Sequence, residues 1–186
     1  MNSQALFLLN QALQYLRNGN PNSAEPLLKQ TLRIEPKNVD ALRLFGVVLA
    51  QKDHYIEALS YFKKALKLDP KNGLIFSNIG NTLQKLKHYD EALLAYDDAI
   101  TFLPNYAEAY SNRGNTLHEL KRYEEALSAH HQAIALQPDY AEAYSNLGNT
   151  LQKLKRHNEA LIAYGNAISL NPRFSEAWCN KGFTPE

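Results

Sequence analysis

Apolar residues recur at helical spacing along the chain, in paired segments separated by short polar stretches. In the segment 141–174, one face of a first helix carries apolar residues at i, i+3, i+7 and i+10: Tyr144, Leu147, Leu151 and Leu154. A second helix follows, with apolar residues at spacings of four, three and one: Ala160, Tyr164, Ala167 and Ile168. Prolines at one recurring phase end the second helices: Pro36, Pro70, Pro104, Pro138 and Pro172. The pattern predicts a succession of helix pairs.

The helix pairs belong to an internal repeat of 34 residues. Three nearly identical strings begin at Phe76, Tyr110 and Tyr144, each 34 residues after the last. This phase gives five complete units and a partial sixth: 5–38, 39–72, 73–106, 107–140, 141–174 and 175–186. The units 107–140 and 141–174 share 21 of 34 residues. A fixed period of this length predicts stacked supersecondary units, which present one long repeating surface.

A glycine stands at position 8 of the repeat, counted from the first residue of each unit, inside the predicted first helix. These glycines are Gly46, Gly80, Gly114, Gly148 and Gly182, with Ala12 in the first unit. Glycine within a helix costs about 1 kcal/mol relative to alanine, so its recurrence requires a compensating contact. We expect the two helices of a pair to approach closely, with small residues of the second helix facing the glycines: Ala58, Ala92, Ala126 and Ala160.

The predicted helix starts carry polar signals. Asn105 with Glu108, and Asp139 with Glu142, resemble capping boxes at the start of first helices. Acidic residues occupy the first turn of two second helices, where the helix dipole favours negative charge: Asp90, Glu91, Glu124 and Glu125.

The aromatic at position 4, Gly at 8, Ala at 20 and 27 and Pro at 32 together resemble the tetratricopeptide repeat (TPR). The aromatic position is filled by Phe76, Tyr110, Tyr144 and Trp178, and by leucine in the first two units (Leu8 and Leu42). Two departures occur in the first unit, where Thr31 replaces the second alanine and Pro26 lies inside the second helix. The resemblance implies an all-α fold, an α-solenoid (right-handed superhelix) of stacked antiparallel helix pairs, with one array over residues 1–186.

Asparagines form a polar series on the first helices that packing does not readily explain. We call the asparagines at positions 6 and 9 of the units from 73 onward the asparagine ladder: Asn78, Asn81, Asn112, Asn115, Asn146, Asn149 and Asn180. Positions three apart share a helix face, and serines at position 5 accompany them: Ser77, Ser111 and Ser145. Two interpretations stay open. The amides bind the backbone of an extended peptide along a concave groove, or they bond to neighbouring helices and fix the stacking of repeats.

A closer resemblance concerns the strings 107–115 and 141–149, which are similar to the repeats ahead of the catalytic domain in O-linked N-acetylglucosamine transferases. In that family an asparagine ladder lines the lumen of the superhelix and holds substrate protein. The resemblance implies that Asn78, Asn112, Asn146 and Asn180 bind a protein or peptide ligand. This chain carries no catalytic domain, so binding is implied and transfer is not. The alternative is that the chain is the substrate-recruiting N-terminal arm of a larger enzyme of that kind.

Net charge and cysteine content indicate which partners and which cellular compartment to expect. A net charge of +1 predicts neither nucleic acid nor membrane as a partner. We interpret the basic residues near the turns within helix pairs as a solvated edge, with acidic partners or RNA as the alternative. These residues are Lys85, Lys87, His88, Lys121, Arg122, Lys153, Lys155 and Arg156. One cysteine, Cys179, fits a reducing compartment, so we expect a cytoplasmic protein.

Candidate reactive chemistry is missing from the sequence pattern. Six scattered histidines and one cysteine offer no zinc-type spacing, and the adjacent His130 and His131 point to different faces. Since no nucleophile–base pair, phosphate loop or paired carboxylate set is visible, we expect a protein that is not an enzyme and uses no cofactor or metal.

The sixth unit stops before its second helix. Repeat arrays need a polar terminal cap, and residues 175–186 do not resemble one. We therefore expect Trp178 and Phe183 to be partly exposed, and exposed apolar surface of this kind tends to find a partner. Two explanations stay open: the chain is cut from a longer protein, or it associates end to end as a homo-oligomer.

Overall fold

The computed structural model describes residues 2–185, which form eleven α-helices and no β-strand. The helices are α1 (Ser3–Arg17), α2 (Pro21–Ile34), α3 (Val39–Gln51), α4 (Tyr55–Leu68), α5 (Gly73–Lys85), α6 (Tyr89–Phe102), α7 (Ala107–Glu119), α8 (Tyr123–Leu136), α9 (Ala141–Lys153), α10 (His157–Leu170) and α11 (Ser175–Gly182). They form two compact units, an N-terminal unit (Met1–His88) and a C-terminal unit (Tyr89–Glu186). No helix within 2–185 is both long enough and apolar enough to cross a bilayer.

The N-terminal unit is built from the pairs α1–α2 and α3–α4, with α5 packed against α4 and α3. Its core centres on Leu28, Phe45, Val48, Phe62 and Ile75, all of which are almost fully buried. These apolar side chains come from α2, α3, α4 and α5. The apolar residues that recur along the sequence therefore pack into one continuous core that runs from one helix pair to the next.

The C-terminal unit contains the pairs α7–α8 and α9–α10. Within it α6 packs on α7, α8 on α9 and α10 on α11, while the first helices α7, α9 and α11 are neighbours. Its buried residues include Leu117, Leu127, Leu151 and Tyr164. Together the two units confirm the predicted fold class, which is all-α with stacked antiparallel helix pairs of the TPR solenoid type. A single array over 1–186 stays a prediction.

The turn within each helix pair has a conformation that the sequence signals only once. Position 15 adopts the left-handed region in all five pairs, at Gly19, Asp53, Lys87, Lys121 and Lys155, with φ between 60° and 69°. After α7, the Lys121 N–H donates to the His118 carbonyl and the Arg122 N–H donates to the Leu117 carbonyl, both at 2.9 Å. These two bonds are a Schellman motif, which satisfies carbonyls at the end of the helix. The lysines of the basic edge therefore also stand at a helix-terminating position.

Gly46, Gly114 and Gly148 at position 8 are confirmed as sites of close contact between the helices of a pair, whereas a Cβ atom added to Gly182 would meet nothing within 4 Å. The atoms nearest to the three glycines belong to a ring and not to the predicted alanine. A Cβ atom added to Gly46 would lie 2.5 Å from a ring carbon of Phe62, and one added to Gly148 would lie 2.6 Å from a ring carbon of Tyr164. These rings occupy position 24 of the repeat. The alanines at position 20 are fully buried, yet the ring four residues later is what requires glycine on the first helix.

The predicted capping boxes are also wrong. The N-cap residues of α7 and α9 are Tyr106 and Tyr140, and neither makes a side-chain capping bond. The Tyr106 hydroxyl instead donates to Glu108 at 2.6 Å. Side-chain caps do occur in the N-terminal unit, where Asn38 and Asn72 accept from backbone N–H groups of α3 and α5. Tyr106 and Tyr140 stand at the repeat position that Asn38 and Asn72 occupy, and tyrosine lacks the short side-chain oxygen that caps a helix.

The two departures in the first unit are accommodated within α2. Pro26 is exposed and lies inside the helix without ending it. Thr31 is fully buried, and its hydroxyl donates to the Leu27 carbonyl at 2.9 Å. Because this bond satisfies the hydroxyl, threonine can stand where the other repeats carry alanine.

Candidate binding surface on the first helices

The asparagine ladder lies on first helices, and every member is half-buried. Asn78 and Asn81 stand on α5 of the N-terminal unit. The C-terminal unit contains the other five, with Asn112 and Asn115 on α7, Asn146 and Asn149 on α9, and Asn180 on α11. Because α9 packs against both α7 and α11, the C-terminal unit brings five amides onto successive first helices.

Asn149 bonds to neighbouring helices. Its Oδ1 atom accepts from the Tyr164 hydroxyl at 2.7 Å and from the Asn180 Nδ2 atom at 2.8 Å. One amide oxygen thus joins α9 to its partner α10 and to the next first helix, α11. This pair of contacts favours the packing interpretation for Asn149 and Asn180.

The position 6 amide one repeat earlier is held much less firmly. The Asn146 Nδ2 atom lies 3.5 Å from the Ser111 hydroxyl, which is beyond the usual range of a strong N–H···O bond. An amide has two donors and two acceptor sites. Asn146 therefore keeps hydrogen-bonding capacity that a ligand can use.

The serines at position 5 do not belong to an exposed polar face. Ser77, Ser111 and Ser145 are each 1% exposed. The Ser111 side chain hydrogen-bonds to Tyr140, which also lies close to Glu108, while partial burial raises the pKa of the Tyr140 phenol. The expectation that these serines accompany the asparagines at the surface is corrected, because position 5 turns into the packed interior.

A second hydrogen-bond series links successive repeats, and the sequence pattern did not reveal it. The Thr150 hydroxyl donates to the Asn146 carbonyl at 2.9 Å and lies 3.0 Å from the Nδ1 atom of His118. One repeat later, the Gln152 amide donates to the Thr184 hydroxyl at 3.1 Å. Position 12 of one repeat therefore reaches position 10 of the next. The recurring threonine was a visible signal, but its partner changes between His and Gln and shows no period.

The positive charge of the basic edge is partly neutralised by glutamates at the start of the following helices. Arg122 makes two bonds of 2.7 Å to Glu125, and Arg156 makes two of 2.7 Å to Glu159. These arginines hold the pKa values of both glutamates below their usual range. All four side chains are well exposed, so the pairs contribute little stability. They support the interpretation of a solvated edge.

His130 occupies position 24, which is aromatic in three other repeats (Phe62, Tyr96 and Tyr164) and leucine in the first (Leu28). It is fully buried, and neither ring nitrogen finds a hydrogen-bond partner within residues 2–185. Burial lowers the pKa of His130 to about 3, with smaller effects from His118 and His131. The ring is therefore neutral at pH 7. Within 2–185, no three His, Cys, Asp or Glu side chains are arranged to hold a metal ion.

The C-terminal unit ends in an exposed apolar surface between α10 and α11. Trp178 is 54% exposed, Phe183 is 82% exposed and Ile162 is 66% exposed. Trp178 and Ile162 line an open groove of about 830 Å³ together with Lys181 and Thr184. The predicted partial exposure of Trp178 and Phe183 agrees with this surface.

Family models of the tetratricopeptide repeat match nearly the whole chain. The matched residues are 9–73, 61–93, 85–121, 114–155 and 141–174. The chain is therefore a member of the TPR family. Comparison with curated protein sequences gave no match.

Solved TPR structures resemble this chain over most of its length. MamA from Desulfovibrio magneticus RS-1 is 26% identical with a TM-score of 0.75, covering 94% of this chain and 98% of that one. YrrB, described as a TPR protein with an unusual peptide-binding site, is 27% identical with a TM-score of 0.70, covering 95% of this chain and 91% of its own. PilF from Pseudomonas aeruginosa shares the fold, with 22% identity, a TM-score of 0.85 and coverage of 95% and 81%. The repeats and these neighbours support a protein-interaction scaffold.

Proposed function

We propose that this scaffold binds an extended segment of a partner protein through the asparagines of its first helices. The observation that carries the proposal is the half-buried state of these amides on the adjacent helices α7, α9 and α11. A half-buried amide is accessible and partly desolvated, so a hydrogen bond to it is stronger than one in open water. YrrB, which is similar over nearly the whole chain, is described as having a peptide-binding site.

The asparagines of the C-terminal unit have two different roles, packing of the repeats and contact with the peptide. Asn149 accepts from both the Asn180 amide and the Tyr164 hydroxyl, so Asn149 and Asn180 hold the stacked repeats in register. Asn112 and Asn146 stand at position 6 of the repeat on α7 and α9. Within residues 2–185, the Asn146 amide makes only the long contact to Ser111. We assign peptide contact to Asn112 and Asn146. Because each offers a donor and an acceptor, they match a peptide backbone and place little demand on its side chains.

The variant Asn112→Ala with Asn146→Ala is expected to weaken peptide binding by roughly tenfold or more, because two hydrogen bonds of about 1 kcal/mol each are lost. Peptides selected from a displayed random library on the wild-type protein supply the ligands, and fluorescence anisotropy measures their affinity. The melting temperature is expected to stay close to that of the wild type.

Asn149→Ala is the matched control. It removes the acceptor of the buried Tyr164 hydroxyl and should destabilise the protein by about 1–3 kcal/mol. Replacing peptide amides by esters should weaken binding to the wild type more than alanine substitutions along the peptide do. If the double variant loses stability and binds peptides as the wild type does, the packing interpretation applies to Asn112 and Asn146 as well.

A second candidate function, end-to-end self-assembly, is favoured by the exposed surface of Trp178, Phe183 and Ile162. If this surface joins copies, light scattering will show oligomers that grow with concentration, and Trp178→Glu will return them to monomers. Ile56→Glu is the matched control, since Ile56 is 72% exposed on α4 and lies outside the groove. A wild-type protein that is monomeric at high concentration contradicts this function.

The role of substrate-recruiting arm in a larger O-linked N-acetylglucosamine transferase-like enzyme stays a prediction. The family models match TPR repeats in general, and the amide arrangement described above suits substrate capture as well as independent scaffolding. The sequence that follows residue 186 in the parent gene distinguishes the two. A glycosyltransferase domain there would make the chain a recruiting arm.

A further inference from the structure

A cavity in the N-terminal unit interrupts the hydrogen-bond series that links repeats elsewhere. In the C-terminal unit, His118 and Gln152 at position 12 reach the threonine at position 10 of the next repeat. In the N-terminal unit that threonine is Thr82, but position 12 of the preceding repeat is Ala50. Alanine is too short to reach it. A cavity of about 260 Å³ lies at this place, lined by both residues.

The lining of the cavity is mainly apolar and carries one unsatisfied donor. Val47 and Tyr55 contribute apolar surface from α3 and α4, and the lining also includes the fully buried Phe62. On the α5 side stands Asn78, whose Nδ2 atom is buried and finds no hydrogen-bond partner within residues 2–185. A buried donor left without a partner costs free energy, which an incoming acceptor would recover. Lys85, an exposed cation, completes the lining on the same helix.

We propose that this cavity is an anchor pocket for one large apolar side chain of an extended peptide, next to an acidic residue. Its volume lies below the ~300–1,000 Å³ of pockets that enclose whole small-molecule ligands, so it suits a single side chain. The apolar wall takes that side chain, Asn78 Nδ2 donates to the adjoining backbone carbonyl, and Lys85 pairs with the neighbouring carboxylate. This inference rests on the proposed peptide binding, to which it adds a side-chain preference.

The minimal probe of the pocket is N-acetyl-leucinamide, which combines one apolar side chain with backbone carbonyls. Titration followed by ¹⁵N–¹H NMR should shift the Asn78 side-chain amide with a dissociation constant on the order of millimolar. N-acetyl-alaninamide should bind at least several-fold more weakly. N-acetyl-Leu-Glu-amide should bind more tightly than N-acetyl-Leu-Gln-amide, and Lys85→Gln should remove that difference.

Ala50→Gln supplies the side chain that Gln152 provides at the same repeat position of the C-terminal unit, and it should fill the cavity. We expect it to weaken leucinamide binding at least tenfold while the protein stays folded, because the new amide can donate to Thr82. Ala135→Gln makes the same chemical change at an exposed position of α8 and should bind the probe as the wild type does.

Two results would contradict the proposal that this cavity is an anchor pocket. One is an Asn78 amide that does not respond to leucinamide, and the other is unchanged leucinamide binding in Ala50→Gln. Either result leaves the peptide affinity of the C-terminal amides untouched. Failure of the proposed function appears separately, as a library that yields no peptide sensitive to Asn112→Ala with Asn146→Ala.

Discussion

Replacing Gly148 by alanine is expected to destabilise the protein by about 2 kcal/mol, although alanine is the better helix former. The new Cβ atom would lie between 2.6 and 2.8 Å from three ring carbons of Tyr164, and that ring is fully buried. Overpacking of this kind costs ~1–3 kcal/mol. Moving the ring would also break the bond from its hydroxyl to Asn149, so the loss exceeds the ~1 kcal/mol gained in helix propensity.

Gly165→Ala is the matched control for Gly148→Ala. Gly165 lies inside α10, and the nearest atom to an added Cβ is Lys181 Nζ at 4.0 Å. This variant should raise stability by up to about 1 kcal/mol. Urea denaturation followed by circular dichroism measures both variants. Combining Gly148→Ala with Tyr164→Leu should cost less than the sum of the two single changes, because the ring that clashes is gone. Strict additivity would show that the ring is not the reason for the glycine.

The sequence was sufficient for the fold because the 34-residue period and the helical spacing are properties of the chain itself. Helix pairs, buried alanines and the tight contact at position 8 all follow from residues that recur in register. The partner of each glycine was missed because it lies on the other helix of the pair. The recurring aromatic at position 24, seen in Phe62 and Tyr164, was the available signal, and only the three-dimensional structure joins it to position 8.

The candidate site was less predictable for a related reason. Position alone gives Asn146 and Asn149 the same face, yet Asn149 accepts from two neighbours while Asn146 makes one long contact. Whether an asparagine side chain is already hydrogen-bonded depends on which residue of the next repeat lies beside it. The cavity beside Ala50 shows the same dependence, because position 12 of that repeat is too short to reach the following threonine, Thr82.

His130→Phe is expected to stabilise the protein and to flatten its pH dependence. The wild-type ring is fully buried with both nitrogens unpartnered within residues 2–185, and an unsatisfied buried group costs ~1–3 kcal/mol. Phenylalanine already occupies the same repeat position at Phe62, where its ring lies against Gly46 as His130 lies against Gly114. The pocket should therefore accept the new ring without overpacking.

The pH dependence of unfolding follows from the low pKa of His130, about 3 in the folded protein against about 6.5 in an unfolded chain. Between these values only the unfolded state binds the proton, so stability falls as the pH drops from 6.5, by about 1.4 kcal/mol per pH unit. Above pH 6.5 the residue contributes no slope. Urea denaturation between pH 7 and 5 measures this loss before most carboxylates titrate, and His130→Phe should remove most of it.

A smaller slope of the same sign should remain in His130→Phe, because burial also lowers the pKa of His118. His131→Gln is the control, since it replaces an exposed histidine on the same helix and keeps the buried His130 ring, so its stability should still fall as the pH drops. Parallel stability curves for His130→Phe and the wild type from pH 7 to 5 would mean that the His130 ring is solvated or partnered in solution. If the two stability curves diverge as expected, the His130 ring is a buried imidazole at an aromatic position of the repeat. Its presence then lowers the free energy of unfolding by an amount that grows as the pH falls.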